Sequence, residues 1–211
     1  METKKLPGRI RLVHDDDCQW DLDDDCVKIA YLQRSRECLG TEAVSQERMD
    51  EIRGGIAGGS LVGIPVYAYV HSGASIRTTP FSCPWDSGQS GFVYLTAQDA
   101  HQIWGLAKGD GTKVIDDNTM CTEGDRERAL EACRGLVESY DQYLTGDCWG
   151  YVIDDAVEDP LRPGEQLIDV DGEPMWDETT DSCFGFLGHD PKTNGMDLEY
   201  WLDKGYKIVE D

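Results

Sequence analysis

The sequence predicts an α+β domain: a mainly antiparallel sheet with one long amphipathic helix and shorter helices. Short strand-like runs joined by turns, a single long run at helical spacing, and two shorter helical runs point to that class. Material for a core is ample, since 39% of the 211 residues are hydrophobic and six Trp, nine Tyr and four Phe are among them.

The elements follow in order. LPGRIRLV, residues 6–13, reads as a first strand, and CVKIAYLQ, residues 26–33, as a second strand or an acid-flanked loop returning to one. QERMDEIRGG is expected to be a short helix closed by Gly54 and Gly55, with GGIAGGS as a flexible connection, since it lacks the GK[ST] of a phosphate loop. Ile64 to His71 alternates β-branched and aromatic residues and forms a strand with Pro65 near its start, neighboured by Phe92 to Leu95. Thr96 offers an N-cap to AQDAHQIWGL, where Ala100, Ile103 and Trp104 share a face. The long helix runs from about Glu123 to Leu144: Thr122 and Asp125 resemble a capping box, Leu130, Cys133, Val137, Tyr140 and Leu144 fall on one face, and Gly146 stops it. CWGYVID and SCFGFLG read as strands, and QLIDV and EPMW flank an Asp171-Gly172 turn like a hairpin whose second arm Pro174 confines to an edge. Composition divides the chain into an acidic N-terminal segment, residues 1–60, packed on or appended to a core of residues 61–211.

Charge is the dominant feature. Forty-two acidic and 19 basic residues give −23, and between Asp147 and Asp190 the only Lys or Arg is Arg162. Such a balance favours solubility and disfavours direct binding to nucleic acid or an anionic membrane. The start, METKKLPGRI, lacks an apolar run of signal-peptide length, and no stretch approaches the ~20 apolar residues of a membrane span. A cytoplasmic setting is expected, and with it eight reduced cysteines, buried or neutral, rather than disulfides. No CxxC pair offers two zinc ligands from one loop.

The segments HSGASIRTTPFSCPWDSGQSGFVYL, ESYDQYLTGDCWGYVID and DSCFGFLG, within a match that covers about residues 61–190, resemble a family of uncharacterised proteins encoded by bacteriophages and other mobile elements. The resemblance implies a setting, the cytoplasm of an infected bacterium where inhibitors of host defence act, but no catalytic residue and no cofactor.

Chemical candidates are few. Cys83 lies twelve residues after His71, so a Cys–His nucleophile is conceivable, against the plainer reading of a tight loop set by Pro80, Pro84, Gly88 and Gly91. His14, His71, His101 and His189 form no metal-binding motif, and the acidic runs lack the order of an EF-hand, leaving only weak divalent-cation binding as an alternative. The acid itself remains. In HDDDCQWDLDDD, Asp15 and Asp17, and Asp21, Asp23 and Asp25, have i, i+2 spacing, as do Asp169, Asp171 and Glu173. On a strand such residues share one face ~6.6 Å apart, comparable to the spacing of successive phosphates along a nucleic-acid strand. With Asp16 and Asp24 in the same run, and with Trp20 and Trp176 as aromatic anchors inside the two blocks, these residues are the expected partner-binding set. The function expected from them is a non-enzymatic nucleic-acid mimic that inhibits a basic, nucleic-acid-binding host defence complex. The alternatives are a Cys83-centred enzyme and a divalent-cation-binding structural protein.

Overall fold

Nine strands and four helices form among the residues that the computed structural model describes, 6–19, 26–33, 36–104 and 121–209. They fall into two compact units, residues 1–20 with 146–211, and residues 21–145. This division differs from a boundary near residue 60. The first strand finds its partner some 140 residues later in sequence, a pairing that local composition does not reveal.

In the first unit, β1 (Arg9–His14) pairs antiparallel with β7 (Cys148–Ala156) and parallel with β9 (Lys207–Val209). The sheet order is β8-β7-β1-β9, with β8 (Trp176–Leu187) on one edge. Alternation along RIRLVH puts Ile10 on the face of Ile153, where Met196, Leu198 and Tyr206 complete a buried core beside Trp149, Tyr151 and Trp201. Arg9 and Arg11 lie on the opposite face around Asp154. A five-residue helix, α4 (Glu199–Asp203), leads into β9, and neither element carries an obvious signal in sequence.

In the second unit the order is β3-β2-β6-β4-β5, built from β2 (Lys28–Leu32), β3 (Glu42–Val44), β4 (Leu61–Val70), β5 (Ala74–Arg77) and β6 (Ser87–Thr96). All pairs are antiparallel except β2–β3. Pro65 is tolerated because β5 covers β4 only from Tyr67 onward, so among the described residues no strand pairs that edge of β4 at the proline. One face of the sheet receives α1 (Gln46–Gly58) through Met49 and Ile52 against Ala30, Phe92 and Tyr94. The other carries Val62, Val66, Val93 and Leu95 toward α2 (Ala97–Trp104) and α3 (Glu123–Thr145).

Helix α1 does not stop at Gly54 and Gly55. It continues to Gly58 and ends on Gly59 in the left-handed region at φ 83°. A glycine inside a helix costs about 1 kcal/mol relative to alanine, and packing of Ile52 and Ile56 on the sheet offsets it. Gly55 also makes room: a Cβ there would lie 2.8 Å from the Leu61 side chain. GGIAGGS is therefore the last turn of a helix and its cap. At α2 the Thr96 hydroxyl accepts from the Asp99 amide at 3.0 Å as expected, but Ile103 is exposed instead of sharing the buried face of Ala100. At α3 the capping box is reciprocal, with Asp125 N donating to Thr122 Oγ1 at 3.2 Å and Thr122 N to Asp125 Oδ2 at 3.0 Å. Cys133, Val137 and Tyr140 are buried with Ala129, whereas Leu130 and Leu144 are half-buried.

Candidate functional site

Most of the net charge belongs to the first unit, whose residues 1–20 and 146–211 hold 22 acidic against 8 basic side chains. The first acidic block begins where β1 ends. Asp15 folds back on the unit: its amide donates to Cys148 O at 2.8 Å, and its carboxylate accepts from the amides of Asp17 at 3.2 Å and Gly185 at 3.1 Å. Asp16 and Asp17 occupy an exposed turn, so Asp15 and Asp17 form no strand-face row. His14 engages acceptors at both ring nitrogens, Asp16 at 2.8 Å and Gly146 O at 2.6 Å, and these bonds, Gly146 first, raise its pKa above 6.5. Two acceptors require two N–H donors, so the geometry selects the imidazolium. Trp20, Asp21, Asp23, Asp24 and Asp25 lie outside the described residues.

The second block also departs from the expected row. Asp169, Asp171 and Glu173 wrap a tight turn at Gly172, φ 89°, in place of one strand face. The Asp169 carboxylate points into that turn and accepts from the amides of Asp171 and Glu173, both at 2.9 Å. Those amide bonds, Glu173 first, hold it below the usual carboxylate range. Asp171 and Glu173 remain exposed. Trp176 is not a bare anchor either. It starts β8 half-buried, with the Arg9 guanidinium 4.6 Å above its ring.

The excursion between β7 and β8 provides what the spacing argument missed. Residues 157–175 fold into three short segments laced by Leu167 N to Val157 O at 2.7 Å, Met175 N to Leu167 O at 2.8 Å and Asp159 N to Glu165 O at 2.9 Å. This arm carries six carboxylates and one cation, Arg162, which is held by Asp159 at 2.9 Å and Glu165 at 3.1 Å. It also bares Leu161, 89% exposed, and Val170, fully exposed. The available signal was two apolar residues in a run too rich in Pro, Gly and Asp to bury them. Along β8, Asp177, Glu178 and Asp181 add exposed charge, and such charge protects an edge strand from pairing with other chains.

The loop of residues 78–87 brings Cys83, Asp86 and His71 together, with Asp86 Oδ2 3.9 Å from Cys83 Sγ and 3.6 Å from His71 Nδ1. The carboxylate thus stands between thiol and imidazole. In a Cys–His nucleophile the imidazole must reach the thiol, and here the Asp86 carboxylate takes that place. Among the described residues, no three His, Cys, Asp or Glu side chains converge as metal ligands, and no helix is long and apolar enough to cross a membrane.

All eight cysteines are free, and two of them, Cys133 and Cys148, are buried. Burial pushes each of those two up to about 12. Cys38 differs: partial burial pushes its thiol up, but hydrogen bonds from Tyr31 and Tyr140 outweigh this and leave it below the ordinary value. Tyr31 Oη lies 3.4 Å from Cys38 Sγ. With an aromatic disulfide reagent at pH 7, Cys38 is expected to react before the exposed Cys26 and Cys183, and Tyr31→Phe to slow it several-fold by reducing the thiolate fraction. The difference should vanish above about pH 9, where thiols ionise without help. Mass-spectrometric mapping of the first modified site decides it, and equal rates in Tyr31→Phe would remove the hydrogen bond from the account.

No protein-family model matches this chain, and neither curated proteins nor solved structures give a match.

Proposed function

We propose that this chain is an acidic, non-enzymatic binding protein that occupies the cationic nucleic-acid groove of a host defence complex, a CRISPR effector or a restriction enzyme. The observation that carries the reading is the arm of residues 157–175, an acidic surface held in place by its own backbone hydrogen bonds, with its single cation already paired. A charge array fixed before binding loses little side-chain entropy at the interface. It also steers a Lys/Arg-lined partner into encounter. Exposed Leu161 and Val170 add apolar contact area within that field. The resemblance of residues 61–190 to phage-encoded proteins supports a bacterial host as the setting. Because Asp169, Asp171 and Glu173 follow a turn, the mimicry proposed is one of field and shape, not of phosphate register.

Competition on purified effectors tests it. Added to a panel of guide-loaded CRISPR nucleases and restriction endonucleases, the protein is expected to displace fluorescent target duplex from at least one at near one-to-one stoichiometry, less well as salt rises. The variant Glu165→Gln/Asp171→Asn/Glu173→Gln should associate several-fold more slowly while its urea midpoint is unchanged. Displacement at substoichiometric amounts would indicate turnover and an enzyme. No displacement at tenfold excess across the panel would remove the mimic reading.

A further inference from the structure

Two cysteines bracket the second unit in sequence. Cys18 stands three residues before the chain enters that unit at Asp21, and Cys148 three residues after the chain leaves it at Thr145. Both belong to the first unit, so the two crossings of the chain are flanked by thiols of one compact body.

Backbone pairing brings the two together. Strand β1 stays in register with β7 as far as His14 opposite Trp149, and the Asp15 amide donates to Cys148 O at 2.8 Å, one step past the last strand pair. On its other side Cys148 is paired with Leu187 of β8. Cys148 is thus held from both flanks. Asp15 then turns the chain, its carboxylate accepting from the amides of Asp17 at 3.2 Å and Gly185 at 3.1 Å. The turn at Asp16 and Asp17 delivers Cys18 back onto β7, where its thiol shares a hydrogen bond with that of Cys148. Two thiols in contact on anchored backbone can be bridged with little backbone movement, which is the geometric condition for a disulfide.

The two thiols differ in exposure. Cys148 is 2% exposed, whereas Cys18 is half-buried. Burial first, then Cys18 and the anions Asp15 and Asp147, hold the Cys148 thiol protonated. A solvent-reachable thiol beside a sheltered one pairs a cysteine that meets an oxidant with a cysteine that resolves the product.

We propose that Cys18 and Cys148 form a reversible oxidation site, at which a low-molecular-weight disulfide such as oxidised glutathione converts the thiol pair into an intramolecular disulfide. Cys18, as thiolate, attacks one sulfur of oxidised glutathione, forming a mixed disulfide and releasing one glutathione thiolate. Negative charge on Cys18 is then gone, which removes one of the causes that keep Cys148 protonated. Cys148 gives up its proton and attacks the Cys18 sulfur, releasing the second glutathione. Two cysteine thiols are oxidised, one glutathione disulfide is reduced to two thiols, and the two cysteine protons end on them. The bond closes the second unit, residues 21–145, into a covalent loop. A cross-link over so long a loop restricts the unfolded chain and stabilises the folded one. In a reducing compartment such a bond is transient and senses oxidation. This inference does not depend on the acidic arm.

The test equilibrates the reduced full chain in glutathione buffers of rising oxidised fraction, quenches with acid, and maps disulfides by mass spectrometry after cleavage on the amino side of aspartate. That cleavage separates Cys18, in residues 17–20, from Cys26, and places Cys148 in residues 147–153. The two peptides are expected to appear joined, two hydrogens lighter than the free pair, and dithiothreitol should part them. In Cys148→Ser the reaction should stop at a Cys18–glutathione adduct, and in Cys18→Ser the buried Cys148 should stay unmodified. Oxidation should raise the urea midpoint of the first unit in the natural chain. Cys18 joined to Cys26 instead, a lasting Cys18 adduct beside free Cys148 in the natural chain, or a Cys18–Cys148 bond that forms only in urea overturns the proposal.

Discussion

Asp154→Ala is expected to lower the stability of the first unit by ~3–5 kcal/mol, the cost of removing one partner from a buried ion cluster. The Asp154 side chain has no exposed surface. It accepts from Arg9 Nε at 2.8 Å, Arg11 Nε at 2.7 Å and Arg11 Nη2 at 3.3 Å. The two arginines stand at i and i+2 on β1 and so share one face, and Arg9 is in register with Asp154 across the β1–β7 pair. Truncation leaves two largely buried guanidinium groups side by side with the charge between them gone. Trp176, stacked on Arg9, and Glu178, 3.7 Å from it, would lose their alignment too. The measurement is urea unfolding, with amide exchange on β7 to assign the loss to this unit. The triple variant Arg9→Met/Asp154→Leu/Arg11→Met separates breaking the cluster from lacking it. It is expected to be far more stable than Asp154→Ala, since apolar side chains of similar volume often replace a buried ion cluster at little cost. If Asp154→Ala unfolds within ~0.5 kcal/mol of the natural chain, the cluster does not hold these strands together.

That cluster also marks where reading the sequence stopped. Elements set by local pattern were legible: β4 and β6 by their β-branched and aromatic content, α3 by the Cys133, Val137, Tyr140 spacing and its Thr122–Asp125 box. Pairing across the whole chain was not. Nothing local in RIRLVH says that its arginines will meet an aspartate in CWGYVIDDA, so β1 read as part of an N-terminal appendage. Gly54 and Gly55 misled for the converse reason, because propensity favoured a stop and the burial of Ile52 and Ile56 overrode it.

At the candidate site the same distinction holds. Acid enrichment was visible, but i, i+2 spacing becomes a row only if the backbone is extended, and Asp171-Gly172 was itself a turn signal within that spacing. Asp15 and Asp169 turn their carboxylates onto backbone amides, the usual behaviour of aspartate at turns, and so organise the surface rather than face a partner. On the turns of the two blocks, the charge left to face outward belongs to Asp16, Asp17, Asp171, Glu173 and the arm's Glu165. These stand on turns whose shape the inward-turned carboxylates fix.

Gly91→Ala is expected to abolish cooperative folding of the second unit, a loss above ~4 kcal/mol and outside the ordinary range for single substitutions. Gly91 sits in the central strand β6, facing Tyr31 of β2 and Val66 of β4. A Cβ there would lie 1.7 Å from Ala30 O and 2.8 Å from Ala30 C. These are backbone atoms, so no rotamer change relieves the clash. Moving β2 away would break its ladder with β6 and pull Ala30 and Ile29, both fully buried, out of contact on the two faces of the sheet. Backbone freedom is not the issue, since Gly91 does not take a positive φ. Space is. Gly88, three residues earlier on the same strand, is the internal control: no heavy atom lies within 4 Å of the point a Cβ would occupy there. Gly88→Ala should change stability by no more than ~0.5 kcal/mol, or raise it slightly by restricting the unfolded chain. Circular dichroism and urea titration of the two variants side by side give the answer. A Gly91→Ala protein that unfolds at the same urea concentration as Gly88→Ala would mean that β2 and β6 do not approach as closely as described.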